Sequence, residues 1–550
     1  MVQEQVVNIG MGQTILKSAE LSPQEPALIF EGKVHSFSDL SNRIRKISTA
    51  LLEMGISRGD RVGYMGLNHP CFLEAVYACS CIGAIFVPLN FRLTPSEAGF
   101  IIEDAGIKIM LADDACTPII EQQKQDLSCL RYISIESCRP DWEFLEDLLE
   151  DTAPIATVAP IENDDVALIM YTSGTTGLPK GAMLTHGNIF WNTMNVSLLE
   201  ETMVGASLTC APLFHIGGLN VTTHISLVRG VAVVLHRSFD AGDVLRDIEK
   251  YKVSTMFGAP TMFTMMSQHE NFDSTDFSSV ISFNVGSAPV PLPLLNIYAD
   301  RGVTFCQGYG LTETSPYVTV LGSKFATSKI GSAGQNLMFT TVRIVDGKDQ
   351  SLPAGERGEI CVKGPNVMKG YWNRPEATTE AIDQNGWFHT GDVGYFDEDN
   401  FLFICDRIKD MVISGGENIY PAEVESVLFE HRAIAEVAAI GVPDDKWGET
   451  VKAFITLRND VEETATDLLN KIDEYMSDGI DFANELTNKG SELANYIESE
   501  IISYSKKQIA TYKCPTSIEF IKDIPRNPSG KILRRVLREP FWDEKGRNVS

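Results

Sequence analysis

From residue 27 to about residue 407, short apolar runs alternate with longer amphipathic stretches, and this alternation constrains the fold most. Residues 61–66, 84–89, 166–170 and 231–235 read as buried strands, and 71–81 and 241–251 as the helices among them. Strand–helix alternation predicts an α/β fold of layered, mostly parallel sheets. Between 343 and 362 the texture changes to short strands and turns, which predicts a β-rich subdomain. At 550 residues the chain exceeds one core, so two or more domains are expected. A boundary falls near Asp406 to Lys409. Beyond it lie a Gly415-Gly416 turn, a helix from Pro421, and strands at 435–441 and 451–457. The expectation is a large N-terminal domain at 1–406, a connection at 407–409, and a small α+β domain at 410–550.

The formal net charge of -28 and pI of about 4.7 argue against nucleic acid and against an anionic membrane surface as partners. No apolar run is long enough to span a bilayer, and the N-terminal residues lack a basic segment followed by an apolar one, so no signal peptide is expected. The 11 cysteines are scattered without a CxxC pair. They read as small buried residues of a reduced, cytoplasmic protein. Positions 460 to 500 hold twelve acidic residues and two lysines, with apolar residues at Leu468, Leu469, Ile472, Tyr475 and Met476. This predicts acidic amphipathic helices at about 460–505, a solvated face rather than a partner site.

The segment richest in chemistry is Tyr171-Thr-Ser-Gly-Thr-Thr-Gly-Leu-Pro-Lys-Gly181. Its glycines let backbone N–H groups approach phosphate oxygens, its hydroxyls add donors, and Lys180 adds a positive charge. The spacing is not G-x-x-x-x-G-K-[ST]. A flexible linker fits poorly, because an apolar strand runs straight into Tyr171.

This loop resembles the signature of the acyl-adenylate-forming superfamily, and further motifs follow in the family's order. They are Ala211-Pro-Leu-Phe-His-Ile-Gly-Gly218, Gly286-Ser-Ala-Pro289, Gln307-Gly-Tyr-Gly-Leu-Thr-Glu-Thr314, Trp387-Phe-His-Thr-Gly-Asp-Val-Gly394, Asp406-Arg-Ile-Lys-Asp-Met-Val-Ile-Ser-Gly-Gly-Glu-Asn418 and Asn527-Pro-Ser-Gly-Lys-Ile532. The likeness is greatest to bacterial fatty-acyl-CoA ligases and to coumarate and aryl-CoA ligases, through Gly331-Ser-Ala-Gly334, Tyr371-Trp-Asn-Arg-Pro375 and Ser414-Gly-Gly-Glu-Asn-Ile-Tyr-Pro421.

The resemblance implies that ATP is held by Thr172, Ser173, Gly174, Thr175, Thr176 and Gly177, by Gly286, Ser287 and Ala288, and by Gln307, Gly308, Tyr309 and Gly310. Asp392 and Arg407 would hold the ribose and phosphate, and Gly415 and Gly416 would border the nucleotide in the thiolation step. The chemistry of each residue agrees. Tyr309 offers a flat face for adenine, Asp392 has two acceptor oxygens for ribose hydroxyls, and Arg407 is a permanent donor. Mg2+ suits the carboxylate of Glu313 with Thr176 beside it. Thr312, Glu313, Lys180 and Lys531 are the expected catalytic groups, because the triphosphate's charge must be offset while a carboxylate attacks it.

The implied reaction forms an acyl-AMP and releases pyrophosphate, after which a thiol displaces AMP. Lys409 stands where the family has its hinge, so the small C-terminal domain is expected to be mobile, exchanging Lys531 for the Gly415-Gly416 face. Around the acid, His215, Asn284 and Gly310 border a pocket without an acidic residue for a substrate amine. An uncharged tail is therefore expected, with a medium- or long-chain fatty acid favoured and an aryl acid the alternative. Trp447-Gly-Glu449 resembles part of the face that receives CoA. No phosphopantetheine serine motif follows Lys531, so the thiol is expected to be CoA or that of a separate carrier protein. A homodimer is compatible with the sequence. A nucleotide-binding relative without catalysis, a phosphotransferase and a luciferase-like oxidase are the competing classes. Released AMP and pyrophosphate, rather than ADP or light, separate them.

Overall fold

The computed structural model describes residues 8–172, 178–199, 205–286, 290–415, 417–458, 497–526 and 532–542. Two large sheets carry the first part of the chain. In the nine-stranded sheet, six strands run parallel in the order Phe305–Gly310, Ser282–Val285, Val253–Gly258, Ala206–Thr209, Val233–Leu235, Pro26–Phe30, with antiparallel strands at both edges. In the eight-stranded sheet, Val166–Thr172, Ile85–Leu89, Arg61–Met65, Ile107–Ala112, Arg131–Ser134 and Glu143–Phe144 run parallel, and Lys180–Thr185 and Gly370–Tyr371 complete it antiparallel. Parallel strands are covered on both faces, so they read as unbroken apolar runs rather than as alternation. Every residue of Ile85–Leu89 is buried.

The same physics explains the helix Pro70–Ile82, buried along its whole length. It shares an apolar cluster with side chains of both sheets, including Leu28, Phe30, Tyr64 and Phe86. The amphipathic helix Ala241–Tyr251 packs with Pro260–Ser267 and Leu292–Ala299 against the outer face of the first sheet. Pro95–Ala105 covers the second. Helix and sheet therefore alternate through the large domain, as the sequence pattern predicts. The expected strand at 231–235 begins only at Val233. The Val231 N–H instead closes the preceding helix by donating to the Ser226 carbonyl (2.8 Å).

A four-stranded antiparallel sheet, Thr341–Val345, Gly358–Lys363, Phe388–Phe396 and Leu402–Arg407, forms the β-rich part. Beyond it Val412–Ser414, Glu417–Ile419, Ile434–Asp444, Gly448–Leu457 and Ser517–Phe520 build a separate sheet, packed by the helix Pro421–Phe429 and by Arg534–Trp542. The two apolar clusters there draw only on residues from Val412 onward. The acidic stretch expected to be helical lies outside the described residues up to position 496. Its end, 497–508, is helical and places Ile501 in the core of this module.

Nine of the eleven cysteines are buried, and all are free. Among the described residues no helix is long and apolar enough to cross a membrane.

Two histidines sit deep between the large sheets. His224 Nδ1 lies 3.2 Å from the Tyr77 hydroxyl, and His186 Nδ1 accepts from the Met11 N–H at 3.3 Å. Burial pushes them down to about 3 and about 4 respectively. Both are neutral when folded and take up a proton when unfolded. Their contribution is complete above the ordinary histidine range and is lost as pH falls toward those values. Between pH 7 and 5 each is expected to remove about 2 kcal/mol of stability. Urea midpoints at the two pH values test this. A His224→Gln variant with the same pH dependence as the parent would refute the assignment.

Candidate active site

The parallel strands Val253–Gly258, Ser282–Val285 and Phe305–Gly310 end side by side, and open α/β sheets take ligands at the carboxyl ends of such strands. Gly286, Gln307, Gly308, Tyr309 and Gly310 all lie at these ends. Tyr309 is buried and donates its hydroxyl to Asp392 Oδ2 at 2.7 Å. Asp392 lies opposite Arg407 in the antiparallel sheet, and Arg407 Nε stands 3.1 Å from Asp392 Oδ1. The acid is 7 % exposed and the arginine 34 %, so the pair reaches solvent only through the guanidinium. Burial and the Asp392 charge raise the Tyr309 hydroxyl far above its usual range, which keeps it a donor.

Glycines in this segment have a packing reason as well. A Cβ on Gly310 would overlap the Pro316 carbonyl, and one on Gly308 would overlap the Tyr317 ring. Gln307 Oε1 accepts from the Val290 N–H at 3.2 Å, while its buried Nε2 has no hydrogen-bond partner among the described residues.

The Ser/Thr/Gly loop joins two antiparallel strands, with Thr172 opposite Lys180. It is thus a hairpin connection, not the strand-to-helix turn of the common phosphate loop. Ser173, Gly174, Thr175, Thr176 and Gly177 lie outside the described residues, as do Ser287, Ala288, Gly416 and Lys531. The frame of the loop is well defined. Tyr171 donates its hydroxyl to Asp104 Oδ2 (2.7 Å), and Asp104 also takes Arg374 Nη2 (2.7 Å) and, at its carbonyl, Trp372 Nε1 (3.0 Å).

Residue 371, which the sequence offered only as part of a family likeness, is the link in this cluster. Tyr371 donates to Glu313 Oε1 at 2.9 Å, and Lys180 Nζ stands 5.4 Å from the centre of its ring. Tyr371 pairs in the strand with Ala182, one turn of the pleat from Lys180. Glu313 and Lys180 are therefore brought to opposite parts of one aromatic side chain, with Thr312 next to Glu313 on a short 3-10 turn. The buried Glu313 carboxylate offers oxygen of the kind a hard cation takes, and Lys180 and the Thr312 hydroxyl are donors of the kind that suit phosphate. Tyr309, Asp392 and Arg407 fit a nucleoside.

On the acid side, the segment after His215 winds into a π-helix, Gly218–Thr223, every residue of it buried. His215 is half-buried. Asn284 is 9 % exposed and donates to Thr255 Oγ1 at 2.9 Å. Phe257, not singled out from the sequence, lies opposite Asn284 in register. A Cβ on Gly217 or on Gly286 would press on its ring, at 2.7 and 3.0 Å. The two glycines thus leave room for this phenyl group.

At the boundary, Lys409 follows the strand that ends at Arg407. Burial and the Arg407 charge push its ammonium down from the ordinary lysine range. Gly415 has φ +60 and packs against Trp447, and the Ile413 N–H donates to Glu449 Oε2 (3.3 Å). The Gly415 turn and Trp447-Gly-Glu449 are therefore one face.

Fold and site together present an α/β protein whose candidate site gathers at the carboxyl ends of parallel strands, next to an antiparallel sheet bearing Asp392 and Arg407. Residues 15–372 match the AMP-binding enzyme family and residues 423–487 match the AMP-binding enzyme C-terminal domain; the chain belongs to this family, part of the acyl-adenylate-forming superfamily. It is 40% identical over 537 residues to feruloyl-CoA synthase of Amycolatopsis sp, covering 97% of this chain and 99% of that one. It is 35% identical over 540 residues to the long-chain-fatty-acid–CoA ligase FadD13 of Mycobacterium tuberculosis, covering 96% and 98%. Among solved structures it resembles o-succinylbenzoate CoA synthetase (MenE) from Bacillus subtilis in complex with the acyl-adenylate intermediate OSB-AMP, with a TM-score of 0.80, 32% identity and coverage of 95% and 97%.

Proposed function

We propose that the chain is an AMP-forming acid–CoA ligase for a carboxylic acid with an uncharged tail. The observation that carries this is a pair of charge clusters built at and just beyond the end of the strand Phe305–Gly310: Asp392 with Arg407 and Tyr309, and Glu313 with Tyr371 and Lys180. In this reading Tyr309 and Asp392 orient the nucleoside, and Arg407 reaches from Asp392 toward the sugar or phosphate. Lys180 and Thr312 offset charge on the phosphates, and Lys531 joins them for adenylation. Magnesium held by Glu313 and Thr176 would neutralise phosphate charge. The acid enters as its carboxylate, so the site needs no base. The acyl carbon becomes a good electrophile once its oxygen is bonded to AMP, and the CoA thiol then displaces AMP.

Two acid classes fit an uncharged pocket beside His215 and Asn284. The phenyl group of Phe257, seated on Gly217 and Gly286, supports a planar aryl acid, as does the likeness to a feruloyl-CoA synthase. A medium- or long-chain fatty acid draws support from the likeness to FadD13. Pyrophosphate–ATP exchange over a panel of aryl and alkyl acids, then AMP release with CoA or a pantetheinylated carrier protein, tests the whole reading. No exchange with any acid would reject it. The buried free thiols support a reducing, cytoplasmic setting.

We also assign 407–409 as the hinge between a domain at 1–406 and one at 410–550. A proline at 409 restricts φ there and disfavours the helical region at Ile408. Lys409→Pro is expected to lower thioester formation at least about tenfold more than pyrophosphate exchange, because only the second half-reaction needs the rotated state. Equal loss in both assays would remove the hinge role.

A further inference from the structure

The antiparallel sheet that carries Asp392 also brings together a set of donors the reaction does not use. Cys361 on the strand Gly358–Lys363 lies directly opposite His389 on Phe388–Phe396. Cys361 Sγ is 3.4 Å from His389 Nδ1. The turn after Thr341–Val345 adds Asp349, and the ligand atoms of the three residues lie within 4.8 Å of one another. We propose that Asp349, Cys361 and His389 form a binding site for one thiophilic divalent cation of the zinc class.

Two arguments support this. First, bonds of about 2.3 Å to sulfur and about 2.0 Å to nitrogen at a tetrahedral angle place the two ligand atoms about 3.5 Å apart. The Cys361–His389 separation of 3.4 Å already matches that edge without movement of the strands. Second, the local charge favours a cation. The carboxylates of Asp349 and Glu359 stand at the cluster, and Arg343, the positive group beside them, lies 3.9 Å from Asp383 as well. Arg343 Nη2 holds Asp349 Oδ1 at 2.6 Å, and a carboxylate has a second oxygen to give. Glu359 Oε2 stands 2.9 Å from the same Nδ1, so a cation bound at that nitrogen takes the place of this contact.

Cys361 separates the zinc class from magnesium. A thiol bound to a soft or borderline cation gives up its proton, whereas magnesium prefers oxygen. Three protein ligands leave one tetrahedral position to water.

The test uses the full-length protein after chelation and dialysis, with Co2+ as the probe and Zn2+ as the competitor. One equivalent of Co2+ is expected to give thiolate-to-metal absorption that Zn2+ displaces. Cys361→Ser is expected to abolish the band. Asp349→Asn, at an exposed turn, is expected to weaken binding roughly tenfold or more. Cys138→Ser, which removes the exposed thiol, is expected to change nothing. Absence of the band, its survival in Cys361→Ser, its loss in Cys138→Ser, or unchanged affinity in Asp349→Asn would each overturn the site. Should Cys361→Ser fail to fold, the Asp349→Asn and Cys138→Ser measurements decide.

Discussion

Asp392→Asn is expected to lower kcat/KM for ATP by about two to three orders of magnitude while leaving the fold intact. The carboxylate is almost fully buried and engaged on both oxygens, by the Tyr309 hydroxyl and by Arg407 Nε. Asparagine keeps the shape and one acceptor oxygen, so Tyr309 retains a partner. It removes the charge that holds the guanidinium and presents an amide N–H where an acceptor stood. Truncating one partner of a buried, hydrogen-bonded charge pair costs about 2–5 kcal/mol, and each 1.4 kcal/mol is about tenfold. Tyr309→Phe removes one charge-assisted hydrogen bond and is expected to cost about one order of magnitude. Pyrophosphate exchange at varied ATP, with thermal melting as the folding control, reads both. An ATP dependence of Asp392→Asn within threefold of the parent would show that this carboxylate does not hold the nucleotide.

The second large effect concerns stability. In the C-terminal module, Arg534 Nη2 meets Glu425 Oε2 at 2.6 Å, and the two side chains are each 14 % exposed. Arg534 also lies 3.8 Å from Asp410, which Arg538 holds at 3.1 Å. Burial raises Glu425 against the pull of Arg534. At Asp410 burial acts upward too, but Arg538 and Arg534 together hold the carboxyl below its usual range. Arg534→Met leaves Glu425 as a buried charge with one remaining donor, the Ala439 N–H at 2.7 Å. The expected loss is about 3–5 kcal/mol. Glu425→Met alone is expected to cost a comparable amount, because it strands the arginine. The double variant is expected to recover most of the loss, since a buried pair replaced by apolar side chains of similar size is often neutral. Denaturant melts of the four proteins form the cycle. Losses that simply add would mean that the two residues do not act as a pair.

This cluster also joins the helix Arg534–Trp542, which follows Lys531, to Asp410 beside the hinge proposed at 407–409. Arg538 Nη1 adds a contact at 3.5 Å to the Lys409 carbonyl. Nothing in the spacing of Arg534, Arg538, Glu425 and Asp410 along the chain announces that they meet. They lie on two helices and a turn, and pairs so far apart are set by how the sheet between them folds.

Much else was legible from the chain. Ala241–Tyr251 reads as a helix because its apolar residues recur with a helical period, and the structure places it there. Val166–Met170 reads as a strand because parallel strands are apolar throughout, and it extends to Thr172. The motif order located Tyr309, Asp392, Arg407, Glu313 and Lys180, and these meet in two clusters. Phe257 escaped notice because it is an ordinary aromatic in an apolar run, and Tyr371 was quoted only within a family likeness, without a role. Their positions matter only through partners on other strands.

Local order in the chain thus specified what needs only neighbours in sequence: the period of each element, the glycines of each turn, and the Ser/Thr/Gly composition of the segment that follows the strand Val166–Thr172. Folding in three dimensions decided which distant side chains share a proton, a charge or a ring face. Gly308 and Gly310 illustrate the division. Their sequence suggests room for a ligand, but the absent side chains are demanded by Tyr317 and Pro316 on the returning strand. The physical reason is range: backbone preferences act over a few residues, whereas steric overlap and hydrogen bonding act between whatever atoms the packed sheets bring together.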